Sequence, residues 1–165
     1  MRSCVTPRDD PGMSTTERLD LTVTHVPEQT FAYVVRRVLP HEAPEFVQGA
    51  IARVLAFAEA YGAPQGPPTT ISSAPDDAGA VVLEVGWPVS PGTTAEPPVE
   101  VRALPPTIAV VHLHVGPYEE LPAVYGAVQA EARAAGYVLG GAPRERYLAW
   151  PGDDPPVTEI VWPVS

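Results

Sequence analysis

The sequence predicts an α+β domain made of two similar halves, each a β-α-β-β unit, with an antiparallel sheet and two long helices on one face. Three observations predict it. The ending Leu83-Glu84-Val85-Gly86-Trp87-Pro88-Val89-Ser90 returns 75 positions later as Thr158-Glu159-Ile160-Val161-Trp162-Pro163-Val164-Ser165. Upstream, at a shift of 74, Val47, Ala50, Ile51, Val54, Ala58 and Gly62 match Leu121, Val124, Tyr125, Val128, Ala132 and Gly136. Breakers and turns punctuate both halves in the same order. Two copies are too few for a solenoid, so a pseudo-twofold pair is the natural reading.

Each half opens with strands: Leu19 to His25 and Phe31 to Val38, then Val99 to Leu104 and Ile108 to Val115. Pro27 and the pair Pro105-Pro106 interrupt them, because proline cannot donate to a ladder. Helices follow, over Pro44 to Tyr61 and Glu119 to Ala135. Their matched apolar positions run i, i+3, i+4, i+7, i+11, one stripe of an amphipathic helix. Pro44 and Pro122 fall near the helix starts, where a missing N–H costs little. Gly62 and Gly136 end the helices and suit a left-handed position there. Two more strands close each half: Thr69 to Ser73 and Val81 to Val85, then Arg144 to Trp150 and Thr158 to Trp162. The acidic turns Pro75-Asp76-Asp77-Ala78-Gly79 and Gly152-Asp153-Asp154-Pro155 make them hairpins. Ser90 to Pro98 links the halves, about 19–90 and 99–165, and residues 1–18 form a loosely attached tail in which Met13 is a second candidate start.

Composition narrows the function classes. The 165 residues are 45% hydrophobic, enough for a real core, yet no apolar run reaches the roughly 18 residues of a membrane span. The tail lacks the apolar stretch of a secretory signal. Cys4 is the single cysteine, so the chain holds no internal disulfide and suits a reducing cytoplasm. A formal net charge of −10 argues against direct nucleic-acid binding, which depends on Lys and Arg against phosphates. All ten basic residues are Arg; Lys and Asn are absent. No nucleophile elbow, phosphate loop, zinc signature or triad order appears, and neither a metal nor a cofactor is expected.

Aligning the halves exposes one chemical asymmetry. Glu145 stands where the first half has Thr70, and Tyr147 where it has Ser72. Strand alternation puts Glu145 and Tyr147 on one face and Arg144 and Arg146 on the other. A carboxylate in a cavity either has a raised pKa or a positive partner, so Glu145 is a proton-transfer group or a counter-ion for a cation. The plainer alternative is a surface Glu paired with Arg144 or Arg146. With helices on one face, a cavity is expected on the opposite face. Tyr33, His112, Trp87 and Trp162 are the further candidates for its lining. His112 and His114 share a strand face but lack a third metal ligand.

The Gly116-Pro117-Tyr118 entry to the second helix, the Glu145-Arg146-Tyr147 strand and the two Trp-Pro-Val endings, in this order and spacing, resemble the GyrI-like small-molecule-binding family over about Leu19 to Ser165. The family's tandem strand-helix-strand-strand units agree with the repeat. In its multidrug-responsive members a central acidic residue, here Glu145, meets lipophilic cations amid aromatic rings. The resemblance thus implies a stand-alone bacterial, cytoplasmic binder of a hydrophobic, aromatic or cationic compound, without a DNA-binding segment and outside the membrane. Some relatives resemble hydrolases that open cyclopropane-bearing toxins, which would make Glu145 and Tyr147 catalytic. A third implied role is a gyrase-inhibitor-like modulator with a protein partner. The Arg residues flanking Glu145 depart from the family pattern, since an Arg reaching the pocket would neutralise the carboxylate.

Overall fold

The computed structural model describes residues 19–149 and 154–165. The expected tail, with Cys4 and Met13, lies outside the described residues, as do Trp150, Gly152 and Asp153. Strands are β1 (Thr22–Val26), β2 (Gln29–Val38), β3 (Thr69–Ser72), β4 (Val81–Val89), β5 (Glu100–Leu104), β6 (Thr107–Val115), β7 (Arg144–Ala149) and β8 (Val157–Pro163). Helix α1 covers Ala43–Tyr61 and α2 covers Leu121–Ala134, each entered through a single 3-10 turn. All the strands join one antiparallel sheet in the order β1-β6-β8-β7-β3-β4-β2-β5. The expected α+β architecture, two β-α-β-β units edge to edge with the helices on one face, is the observed one.

The two units meet along the β3–β7 seam, where Thr70 pairs with Glu145. These are equivalent positions of the repeat, so the pseudo-twofold axis passes between them. Each helix packs its apolar stripe on its own half. Ile51, Val54 and Ala58 of α1 are buried against Val34, Leu83 and Val85, and Val128 and Ala132 of α2 against Val110. Trp87 and Trp162 sit at equivalent places on the helix side. The Trp87 Nε1–H donates to the Ile51 carbonyl at 3.0 Å, and the Trp162 ring meets Tyr125, the match of Ile51, edge-on at 5.7 Å. Gly136 takes the left-handed conformation expected after a helix, at φ 89°. Gly62 does not: its φ is −146°, and Ala63 is the left-handed residue, at φ 51°. A Cβ at Gly62 would instead strike the Thr93 side chain at 2.6 Å, which is a packing reason for glycine.

The first strand of each half leaves its own half. β1 pairs with β6 from Thr22↔Val111 to Val26↔Thr107, and β2 pairs with β5 from Gln29↔Leu104 to Tyr33↔Glu100, continuing the same register across the proline links. β1 and β2 stand six steps apart in the strand order, roughly 29 Å in a flat sheet at about 4.8 Å a step. Yet two residues join them, a link that spans at most about 11 Å. The sheet therefore curls until its two ends meet, with the helices outside and the other face turned inward. On that inner face Phe31, Tyr33, Ile71 and Leu104 are buried together, on the side away from α1 and α2.

Candidate functional site

Alternation along β7 sends Glu145 and Tyr147 to the helix side and Arg144 and Arg146 to the inner side. The Glu145 cavity is accordingly on the helix face, which corrects the expectation that Glu145 and Tyr147 face a cavity on the opposite side. The physical reason is that α1 and α2 each pack over their own half and leave a gap above the β3–β7 seam, on the side to which Glu145 and Tyr147 point. The gap is a cavity of about 200 Å³. The first turns of both helices wall it with Pro44, Val47, Tyr118 and Leu121, and Glu145 and Tyr147 form its floor. Pro44 and Tyr118 are repeat equivalents, as are Val47 and Leu121, so the cavity straddles the axis. Its lining is apolar apart from a few groups at one end.

Glu145 is half-buried because its carboxylate opens onto this cavity. Tyr125 on α2 donates its hydroxyl to Oε2 at 2.6 Å. The Tyr147 hydroxyl lies 2.9 Å from Oε1 and 2.8 Å from the Thr70 hydroxyl oxygen. One proton serves one acceptor, so with an ionised carboxylate the chain runs Thr70 to Tyr147 to Glu145. Tyr118 closes the wall, its ring edge-on to Tyr147 at 5.9 Å. Burial pushes the Glu145 carboxyl above the ordinary carboxylate range, and the two tyrosine bonds offset part of that shift. Tyr125 and Tyr147 are held well above the usual phenol value, chiefly by burial and next by the nearby carboxylate, so both remain neutral donors. Neither flanking guanidinium enters: Arg146 is bonded to Glu159 across the inner face, and Arg144 lies on that face too. The alternative of Glu145 paired with its flanking arginines is thereby removed.

The other candidates are placed apart from the cavity. Tyr33 is on the inner face, stacked on Phe31 at 5.4 Å, with its hydroxyl 3.4 Å from Glu100, so it cannot share a pocket with Glu145. The parity of β2 gives the reason: Ala32 and Val34 take the helix side. His112 is on the helix side, but its Nδ1 lies 3.2 Å from the Asp20 carbonyl, towards the sheet end. Trp87 belongs to the packing of α1, and Trp162 reaches the site only through Tyr125. Tyr125 is the residue that sequence reasoning passed over. It appeared as one apolar position of the α2 stripe, and the available signal was its hydroxyl where the first half carries Ile51.

The description GyrI-like small molecule binding domain matches residues 20–165. The chain belongs to the GyrI-like small-molecule-binding family. Among curated proteins none matches this sequence. Among solved structures, EcmrR in its DNA complex is similar at a TM-score of 0.72 and 19% identity, over 88% of this chain. This chain spans only 57% of that one; of the EcmrR C-terminal domain alone it spans 98%, at a TM-score of 0.68. SAV2435 bound to tetraphenylphosphonium is similar at 0.65 and 13% identity, over 89% of this chain and 94% of that one. A hydrolase from Listeria innocua is similar at 0.60 and 16% identity, over 90% and 93%. These likenesses establish the fold. Among the described residues no helix is long and apolar enough to cross a membrane.

Proposed function

We propose that the cavity above the β3–β7 seam holds a small organic cation with an apolar body, and that the chain sequesters or senses such compounds. The observation that carries this reading is the state of Glu145: a carboxyl group facing an apolar cavity, bonded by two neutral tyrosines and, among the described residues, by no cation. Tyrosines order the carboxylate but leave its charge uncompensated, and a cationic ligand supplies the missing partner. Aromatic faces at Tyr118 and Tyr147 suit the same ligand. The family supports small-molecule binding, and the tetraphenylphosphonium in SAV2435 is the kind of compound proposed. The cavity is smaller than the roughly 300 Å³ at which drug-sized sites begin. A compact cation fits it directly, and a bulky one requires the two helix starts to part.

The test is calorimetric titration with trimethylphenylammonium and tetraphenylphosphonium, beside Glu145→Gln. Saturable binding that weakens by about 2 kcal/mol, roughly thirtyfold in Kd, on this substitution supports the proposal. Equal binding by both proteins refutes it. A second reading rests on the raised carboxyl pKa: a carboxyl held above its ordinary range by burial, beside phenol donors, is also equipped for general acid–base chemistry. In that reading Glu145 and Tyr147 act on a strained-ring electrophile. Recovery of the compound after long incubation separates the two, since a binder returns it unchanged.

A further inference from the structure

The inner face of the curled sheet carries a second set of charges, unrelated to Glu145. Arg146 is bonded to Glu159, and Arg102 to Glu84 at 2.6 Å. Glu84 and Glu159 are repeat equivalents, and each is neutralised by one guanidinium. Glu100 lies by the Tyr33 hydroxyl. Among the described residues of this face Arg144 is a further arginine. It stands between Ile71 and Val161 in the lateral row of the sheet and is only 8% exposed. Among the described residues no hydrogen bond or ion pair reaches its guanidinium. The charges that act on it most are Arg102 and Arg146, both of like sign.

A guanidinium in water is solvated, and one in a protein interior is normally paired, because an unpaired buried charge is costly. The space beside Arg144 is correspondingly open. A cavity of about 460 Å³ runs from Arg144 and Val161 across Val111 to Thr22, Thr24 and Gln29. Thr22, Val111, Val161 and Arg144 form one lateral row of the sheet, so Thr22, with Thr24 and Gln29, lines the end of the cavity beyond the two valines. His25 and the paired Arg146 and Glu159 complete the titratable and charged groups around it.

We propose that this inner cavity is a second ligand site, taking an organic monocarboxylate whose head pairs with Arg144 and whose apolar body lies on Val111 and Val161. One free guanidinium matches one carboxylate in charge and in fork geometry. A phosphate dianion would leave one charge uncompensated over an apolar floor. The overall charge of −10 opposes unspecific attraction of anions, so binding here depends on the local site. The inference does not rest on the Glu145 reading, since the two sites occupy opposite faces of the sheet.

The experiment is titration of the full chain with benzoate, followed by calorimetry and by thermal melts in anion-poor buffer. Saturable benzoate binding should raise the Tm of the wild-type chain. In Arg144→Met it should weaken at least about tenfold, the loss typical of a charge-assisted pair. In Glu145→Gln it should be unchanged, which separates this site from the outer one. Without benzoate, Arg144→Met should melt no lower than wild type, because it removes a charge that has no partner. The double variant Thr22→Val, Thr24→Val supplies a second handle should Arg144→Met fail to fold; it should lose several-fold in benzoate affinity. Absence of saturable benzoate binding by wild type would overturn the proposal. So would equal binding by the variants, or inorganic phosphate displacing benzoate at equal concentration.

Discussion

The two halves share a scaffold and differ at the positions that face the axis. On the helix side the first half presents Ile51, Thr70 and Ser72, where the second presents Tyr125, Glu145 and Tyr147. On the inner side it presents Thr69 and Ile71, where the second presents Arg144 and Arg146. The positions that build the fold repeat instead: Val54 with Val128, Ala58 with Ala132, Trp87 with Trp162, Glu84 with Glu159. Chemistry is therefore concentrated in one half, and the other supplies a wall and a seam. A pseudo-symmetric axis brings equivalent positions together, so one changed copy is enough to place a single carboxylate against a symmetric apolar frame.

The exception to this division gives the largest expected effect. Gly86 in β4 corresponds to Val161 in β8, and both lie on the inner face. A Cβ at 86 would overlap the Ala32 backbone of the neighbouring strand. The first half needs glycine there because the β2 backbone at Ala32 and Tyr33 passes too close for any side chain. Making the halves alike by Gly86→Val should cost about 3 kcal/mol or more, or abolish folding. Denaturant melts measure it. A variant as stable as wild type would show that the halves tolerate symmetry here and that the glycine is incidental.

A second change tests the helix-side asymmetry. Tyr125→Phe keeps the ring against Trp162 and removes the bond to Glu145. That bond lowers the Glu145 pKa, so its loss raises the pKa further and favours the uncharged carboxyl. Binding of trimethylphenylammonium should weaken by about 1 kcal/mol, roughly fivefold. The pH at which binding is half-developed should also move upward. Titration at several pH values checks both, and an unmoved pH profile would mean that Tyr125 acts on packing alone.

The sequence-level reading captured what is periodic and local. The helices, the hairpin strands and the equivalence of Thr70 and Glu145 follow from the repeat and from strand alternation. The crossing of β1 and β5 to the opposite half was not legible, because non-local pairing leaves no trace in the composition of a short strand. Alternation showed that Glu145 and Tyr147 share a face and that the arginines share the other. It did not say which face the helices cover, since β7 alternates polar residues on both sides. The same blindness misplaced Tyr33. Tyr125 was hidden by its own amphipathic character: an aromatic ring fills an apolar stripe whether or not its hydroxyl has a task.

The smallest effect, and the one that most directly reads the difference between Thr70 and Glu145, is the pH dependence of stability. Burial raises the Glu145 pKa in the folded state above its unfolded value, which is close to 4.3 for a free glutamate. Below the unfolded value both states are protonated and the buried carboxyl carries no charge penalty. As pH rises past it, the unfolded chain loses its proton while the folded chain keeps it. The folded state then binds more protons, so its stability falls with pH until the folded pKa is passed, and stays level beyond. Glu145→Gln has no proton to lose, and its amide still accepts from one tyrosine and donates to the other. The Tm of the variant minus that of wild type should therefore be near zero or negative at pH 4. It should grow more positive through the interval above, and flatten once wild-type Glu145 is ionised. A cation in the outer cavity should reverse the trend for wild type alone, because it stabilises the charged form. A difference that is flat across the whole range would mean that the folded and unfolded carboxyls titrate alike. The asymmetry between the halves would then be one of shape and not of charge.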